Sequence, residues 1–171
     1  GGGRGMRIIN DDQQLTDEFD QAKDEALKAF GSDEMYVEKD VQHPKHIEVQ
    51  VIADEHGHVI HLFERDCSVQ RRHQKVIECA PERRVEVCGL AVKLMKSVHY
   101  QNAATIEFLA TPDQFYFIEV NPRVQVEHTV TELITGIDIV KTQIRVAAGE
   151  DLHQDIGLPQ QDDLKFHGAA I

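Results

Sequence analysis

Two short apolar runs, each interrupted by one glutamate, constrain the fold of this 171-residue chain more than any other feature. The runs are residues 105–110 and 115–120, and the Thr-Pro-Asp-Gln segment 111–114 between them has the composition of a tight turn. They predict a β-hairpin. With the hairpin centred on Asp113, Glu107 faces Glu119 across the two strands.

The two facing glutamates need a compensating partner. A carboxylate in an apolar run is costly to desolvate, and like charges opposite one another on neighbouring strands repel. A hard divalent cation, Mg²⁺ or Mn²⁺, removes both penalties, and the same register brings Asn121 to the pair as a third oxygen ligand. We therefore predict a metal site formed by Glu107, Glu119 and Asn121. The alternative is a solvated hairpin face whose glutamates bind nothing.

Hydrophobic periodicity divides the rest of the chain into further helices and strands. Helical spacing, with capping residues and glycine stops, predicts helices over residues 15–30, 85–98, 130–134 and 137–148. Alternation of apolar and polar residues predicts strands over residues 35–41, 46–53, 59–66 and 74–80. Helices and mostly antiparallel strands are mixed, so the fold class is α+β.

Charge and cysteine content restrict the functional classes. Lys and Arg number 18 against 30 Asp and Glu, and the net charge of −12 argues against a nucleic-acid or anionic-membrane partner. No apolar run approaches the roughly 18 residues that span a bilayer. Cys67, Cys79 and Cys88 are odd in number and lack metal-binding spacing, so we expect free thiols in an intracellular protein. We expect the cytoplasm, with the mitochondrial matrix as the alternative compartment.

Two polar segments have the composition of anion sites. In residues 121–128, Arg123 can hold an oxyanion in its fork and Glu127 can accept a proton, although a polar loop that caps the next helix is the alternative. The basic run 70–75 fits an anion site and a solvated patch equally well. The glycine-rich opening is more typical of a flexible terminus than of a phosphate loop. Three histidines cluster at His56, His58 and His61, and because the turn around Gly57 explains two of them as exposed loop residues, a metal site is the less favoured interpretation.

Seven segments of the chain form a recognisable combination when taken in order. They are residues 1–7, 38–39, 46–48, 64–68, 70–75, 105–109 and 115–128. In this order they resemble the biotin carboxylase family of ATP-grasp enzymes. The resemblance covers nearly the whole chain, and the combination of segments is specific where each alone is not. Residues 117–133 are most similar to members that carboxylate pyruvate, with acyl-CoA carboxylases nearby.

The resemblance implies a partial ATP-grasp fold and a reaction in which ATP activates bicarbonate as carboxyphosphate, whose CO₂ is transferred to protein-bound biotin. It implies that Glu107, Glu119 and Asn121 hold the metal ions. It implies nucleotide contacts by Gly2 and Gly3 in a lid, by Glu38, Lys39 and Val41 in a hinge, by His46, Gln70 and His73 near ribose and phosphates, and by Leu109 and Ile118 beside adenine.

For the carboxylation step, the resemblance implies that bicarbonate is held by four residues and deprotonated by one. The general base is Glu127, and Arg123 also steadies the biotin enolate. The residues that hold bicarbonate are Lys75, Arg123, Gln125 and Val126. The catalytic set is therefore Lys75, Arg123 and Glu127.

The resemblance also implies an incomplete enzyme. Residues 1–40 correspond to part of the lid subdomain and residues 41–171 to part of the C-terminal subdomain, while the N-terminal subdomain and the C-terminal remainder are absent. Residues 81–92 are shorter than is usual in the family, and Asp40 replaces a common aromatic residue. The implied partners are a biotin carrier domain, a carboxyltransferase domain and further copies of the parent protein. The alternatives are a catalytically incomplete nucleotide-binding or assembly module and another ATP-grasp ligase, such as a carbamoyl-phosphate synthetase.

Overall fold

The computed structural model describes residues 5–81 and 85–171. The chain divides into two compact units, residues 1–42 with 70–74 and residues 43–69 with 75–171. Gly2 and Gly3, which are expected to contact phosphates, lie outside the described residues, as do residues 82–84 of the shortened segment.

Helix α1, Asp12–Phe30, dominates the first unit and confirms the predicted helix. Asp11 caps its N-terminus by accepting a hydrogen bond of 2.8 Å from the backbone N–H of Gln14. Gly31 ends it with φ of 74°, a left-handed conformation that favours glycine. The helix therefore begins and ends where its capping residues predict.

The predicted strand over residues 35–41 is wrong, because this segment has no regular secondary structure. Tyr36 and Val37 are 80% and 72% exposed. A strand needs a neighbour to satisfy its backbone hydrogen bonds, and no strand pairs with this segment within the described residues. Alternation in the sequence was therefore not sufficient to form a strand here.

A five-stranded sheet forms the centre of the second unit. Its strands are β1 Lys45–Ala53, β2 Val59–Arg71, β3 Gln74–Cys79, β4 Asn102–Ala110 and β5 Phe115–Asn121. They lie in the order β3-β2-β1-β4-β5, and β1 pairs antiparallel with both β2 and β4.

Three further helices belong to this unit. They are α2 Val85–Ser97, α3 His128–Thr135 and α4 Ile139–Ala147, followed by a short 3₁₀ turn at Gln161–Asp163. No helix within residues 5–81 and 85–171 has both the length and the apolar composition needed to cross a bilayer.

The two faces of the sheet have different compositions. Ile47, Val49 and Val51 of β1 pack with Ile106 of β4 and with α2 on one face. Because side chains alternate along a strand, the intervening His46, Glu48 and Gln50 point to the opposite face. There an apolar cluster around Ile52, Leu62 and Ile139 covers only part of the sheet, and polar side chains occupy the rest.

The predicted hairpin register is confirmed close to the polar residues and changes towards the turn. Thr105 pairs with Asn121, and Glu107 pairs with Glu119. Beyond Glu107 the register shifts, so that Phe108 pairs with Phe117 and one residue of β5 is left extra, as in a β-bulge. As predicted, Cys67, Cys79 and Cys88 form no disulfide within the described residues, and Cys67 and Cys88 are buried.

We expect the sheet core to dominate the stability of this unit. Ile106→Ala removes a fully buried side chain between β4 and α2 and should lower the free energy of unfolding by about 2–5 kcal/mol. Ile77→Ala, on β3 where Ile77 is 42% exposed, is the matched control and should cost less than about 1 kcal/mol. Urea denaturation of both variants measures the difference, and equal losses would contradict this core assignment.

Candidate functional site

A row of acidic side chains crosses three strands on the polar face. Glu48 of β1 pairs with Glu107 of β4, and Glu107 pairs with Glu119 of β5. Arg65 of β2 lies opposite Glu48 on the other side. Glu48 and Arg65 are fully buried, and Glu107 is 5% exposed. Sequence reasoning found Glu107 and Glu119, but it assigned no role to Glu48 or Arg65.

The ammonium group of Lys75 joins three carboxylates. From β3, Lys75 Nζ donates to Glu107 Oε1 at 3.0 Å and to Glu127 Oε1 at 2.7 Å. It also donates to Glu48 Oε2. Glu127 occupies the N-cap position of α3, so one cation connects the sheet to the start of this helix.

Four side chains contact the carboxylate of Glu107 through hydrogen bonds or ion pairs. Besides Lys75, the imidazole Nε2 of His46 lies 2.6 Å from Glu107 Oε2. The amides of Asn121 and Gln125 donate to Glu107 Oε1 at 2.9 and 3.1 Å. Burial of a carboxylate is tolerated when it is paired and hydrogen-bonded, and Glu107 meets both conditions.

Arg65 pairs with Glu48 of the acidic row and donates hydrogen bonds to three neutral side chains. Its Nε donates to Glu48 Oε1 at 2.6 Å. One terminal nitrogen donates to Gln50 Oε1 at 3.0 Å and to Thr131 Oγ1 at 2.8 Å, and the other donates to Thr105 Oγ1 at 3.3 Å. A single guanidinium therefore contacts β1, β4 and α3.

The side chains of Glu48, Arg65, Lys75, Glu107 and Glu127, with His46 beside Glu107, form one polar cluster, and their charges depend on one another. Burial would raise the pKa of Glu107, but the hydrogen bond from His46 and the charge of Lys75 lower it to about 2. Burial would likewise raise the pKa of Glu127, and the hydrogen bond from Lys75 lowers it instead. For Lys75, burial is outweighed by the neighbouring carboxylates, chiefly Glu48, and its pKa is raised. Counted formally, the three carboxylates of Glu48, Glu107 and Glu127 and the two cations Lys75 and Arg65 sum to minus one, before any proton on His46 is counted.

The open side of the cluster is formed by the segment between β5 and α3. Arg123 is exposed and donates to Asn121 Oδ1 at 3.2 Å, and Val126 is 91% exposed. Gln125 is buried, and its Oε1 has no hydrogen-bond partner among the described residues. An unsatisfied buried oxygen is costly unless a ligand or water supplies a donor.

The residues expected to bind nucleotide are divided between the two units. His46 lies in the cluster, Leu109 is half-buried on β4, and Ile118 is 40% exposed at the β5 bulge. Glu38, Lys39, Val41, Gln70 and His73 belong to the first unit. The basic run 70–75 does not act as one patch, because His73 is exposed at the β2–β3 turn whereas Lys75 points into the cluster.

The predicted exposed turn contains His56 and His58, and a buried aspartate stabilises it. Asp54 accepts backbone hydrogen bonds from both histidines and from Leu152. His58 Nδ1 lies 2.9 Å from Asp54 Oδ2 and 3.3 Å from Asp151 Oδ2. Contacts within the turn and with Asp151 and Leu152, which follow α4, therefore account for these polar groups. His61 lies outside the turn on β2.

Comparison with known proteins relates the whole chain to carboxylases. Residues 1–155 match the family model described as the carbamoyl-phosphate synthase L chain, ATP binding domain. The pyruvate carboxylase of Staphylococcus aureus (strain Mu50 / ATCC 700699) is 59% identical over 178 aligned positions, which cover 100% of this chain. This chain spans only 16% of the length of that relative.

Solved structures give the same result at the level of the fold. The biotin carboxylase of Campylobacter jejuni, in a β,γ-ATP complex, has a TM-score of 0.90 and 47% identity over 99% of this chain and 38% of that chain. The biotin carboxylase domain dimer of Hydrogenobacter thermophilus 2-oxoglutarate carboxylase, in complex with MgADP, ADP and bicarbonate, has a TM-score of 0.89 and 49% identity, with the same two coverages. The expected partial ATP-grasp fold is thereby confirmed.

Acidification should destabilise the protein through Glu107. Its pKa is about 2 in the folded protein, against an ordinary value of 4.5. A depressed pKa stabilises the fold above the ordinary value, and this contribution, roughly 3 kcal/mol, is lost as the pH falls towards 2. We expect Glu107→Gln to make the decline in unfolding free energy between about pH 6 and pH 3 shallower, as measured by urea denaturation.

The exposed Glu119 provides the control for this experiment. Glu119→Gln should leave the pH dependence of the unfolding free energy as it is in the unmodified protein. The same slope in Glu107→Gln and in the unmodified protein would show that Glu107 does not carry the effect.

Proposed function

The chain belongs to the family of the carbamoyl-phosphate synthase L chain, ATP binding domain, and from that membership we propose that it is part of a biotin carboxylase within a pyruvate carboxylase. The proposed reaction begins when a bicarbonate oxygen attacks the γ-phosphorus of ATP and the bond to ADP breaks. The resulting carboxyphosphate separates into phosphate and CO₂, the released phosphate takes the N1′ proton of biotin, and N1′ of the biotin enolate then forms a bond to CO₂.

The contact between Lys75 and Glu127 carries this proposal. An ammonium and a carboxylate 2.7 Å apart can hold an anion and accept its proton in the same place. The free amide oxygen of Gln125 is an acceptor in the same cluster, suited to a ligand that presents a hydroxyl group. Bicarbonate has both features that this arrangement requires, since it carries a negative charge and a hydroxyl group.

We assign roles from this chemistry. Lys75 neutralises the bicarbonate charge, and Arg123, exposed at the open side, adds a fork for its oxygens and for the biotin enolate. Gln125 and the backbone of Val126 orient the anion. Glu127 takes the proton, and its contact with Lys75 keeps it ionised and ready to do so.

The proposed metal ligands are Glu107, Glu119 and Asn121. Glu107 and Glu119 are paired in the β4–β5 register, Asn121 follows Glu119 by two residues, and their side-chain oxygens suit Mg²⁺, or Mn²⁺ in its place. The hydrogen bonds that Glu107 accepts from Asn121 and Gln125 would have to open for the ion to bind. When bound, the ion would neutralise charge on the phosphates of ATP. The carboxylates of Glu107 and Glu119 would otherwise repel a polyphosphate, and this supports a cation at the site.

The remaining assignments also stay proposals. Nucleotide binding is assigned to His46, Leu109 and Ile118 in the second unit and to Glu38, Lys39, Val41, Gln70 and His73 in the first, with residues 1–40 as lid and 41–171 as C-terminal subdomain. A biotin carrier domain, a carboxyltransferase domain and a second copy are the proposed partners. The dimeric state named for the Hydrogenobacter thermophilus structure supports the last of these. We propose a cytoplasmic location.

Glu127→Gln tests the proposed general base. In the polypeptide that naturally contains this chain, the variant should lose bicarbonate-dependent ATP cleavage by at least about 100-fold while it still binds Mg-ATP. Coupled ATPase kinetics and calorimetry measure the two properties. Binding of Mg-ATP by the unmodified protein without any bicarbonate-dependent turnover would instead favour a nucleotide-binding module.

Glu119→Gln tests the metal assignment. The Mg²⁺ concentration for half-maximal ATP cleavage should rise more than about tenfold, because a charged oxygen ligand becomes a neutral amide. Glu86→Gln is the matched control, since Glu86 is an exposed glutamate on α2 outside the cluster. An unchanged Mg²⁺ requirement in Glu119→Gln would exclude Glu119 from the metal site.

A further inference from the structure

Arg65 has no role in the proposed reaction, although its surroundings are unusual. It is fully buried, and the four side chains that it contacts are Glu48, Gln50, Thr105 and Thr131. A buried guanidinium requires complete pairing, because its charge cannot be removed by deprotonation. Its four partners lie on β1, β4 and α3, and this indicates that Arg65 fixes the positions of these three elements relative to one another.

The contacts of Arg65 form a closed ring. Arg65 binds Glu48, and Glu48 binds the ammonium of Lys75. Lys75 binds Glu127 at the N-cap of α3. Four residues later, in the first turns of the same helix, Thr131 accepts the 2.8 Å hydrogen bond from Arg65 that closes the ring.

We infer that Arg65 is a positioning residue that sets the distance between Glu127 and Lys75 by holding both Glu48 and Thr131. This inference rests on the proposed function, because it assigns the positioned pair to the bicarbonate reaction. The rigid parts of the ring are the β1–β2 pairing on one side and α3 on the other. A shift of Thr131 moves the whole first turn of α3, and Glu127 moves with it.

The shape of arginine suits this task better than that of lysine. Its five N–H donors lie in a fixed plane, so the directions to Glu48, Gln50 and Thr131 are set together. A lysine ammonium at the same position has three donors on a flexible stem, and it cannot hold the sheet and the helix in one geometry. The charge of Arg65 also contributes to the lowered pKa of Glu127.

The test uses Thr131, because loss of Arg65 leaves Glu48 buried with one counter-ion fewer and threatens the fold. Thr131→Val keeps the size of the side chain and removes the acceptor for Arg65, whereas Thr131→Ser restores it. Thr142→Val is the matched control, since Thr142 is a buried threonine of α4 whose hydroxyl donates to Asp138 O, away from the ring. All variants are made in the polypeptide that naturally contains this chain.

In steady-state kinetics, Thr131→Val should lower kcat for bicarbonate-dependent ATP cleavage about tenfold and leave KM for ATP within about twofold. The acidic limb of its pH–rate profile should move to higher pH, because a loosened contact with Lys75 raises the pKa of Glu127. Thr131→Ser and Thr142→Val should keep the original kcat and profile. A purely structural role predicts that both valine variants lose stability with unchanged profiles, and that result overturns the inference.

A second measurement does not depend on the reaction. Acetic anhydride labels lysines, and mass spectrometry gives the labelling rate of Lys75 relative to the exposed Lys165. Thr131→Val should raise this ratio several-fold, and Thr142→Val should not. An unchanged ratio in Thr131→Val overturns the positioning role. If the unmodified protein lacks bicarbonate-dependent ATP cleavage, the proposed function fails and this labelling ratio alone decides the positioning role.

Discussion

The burial of three carboxylates around one ammonium is the constraint on which the polar half of this structure depends. Glu48, Glu107 and Glu127 come from two strands and a helix N-cap, and Lys75 contacts all three. Without that cation their mutual repulsion in a poorly solvated site would be large. The position of α3 against the sheet therefore depends on the charge of Lys75 as well as on apolar packing.

The antiparallel sheet makes this arrangement possible. Register places Glu48 beside Glu107 and Glu107 beside Glu119, so the acidic row follows directly from strand pairing. The opposite face of the same strands is apolar and packs on α2, which supplies the stability that the polar face does not. In the proposed carboxylase, the alternation of side chains therefore places the apolar core on one face of the sheet and the reacting groups on the other.

Sequence reasoning succeeded where the signal was local. The capped helix α1 and the Glu107–Glu119 pair lie within single segments, so spacing and turn position were sufficient to predict them. Glu48 and Arg65 were missed because their neighbours come from strands paired over longer separations, which periodicity does not specify. The strand predicted at residues 35–41 failed for the related reason that alternation does not provide a pairing partner.

An NMR titration of the Glu107 side-chain carboxyl carbon measures the central interaction most directly. The signal reports the protonation of one group, and Glu107 is the carboxylate that both Lys75 and His46 contact. We predict a pKa of about 2 for this group. A pKa at or above its ordinary value of 4.5 would show that the ammonium and imidazole do not hold this carboxylate ionised, and would contradict the proposed role of Lys75 at the centre of the site.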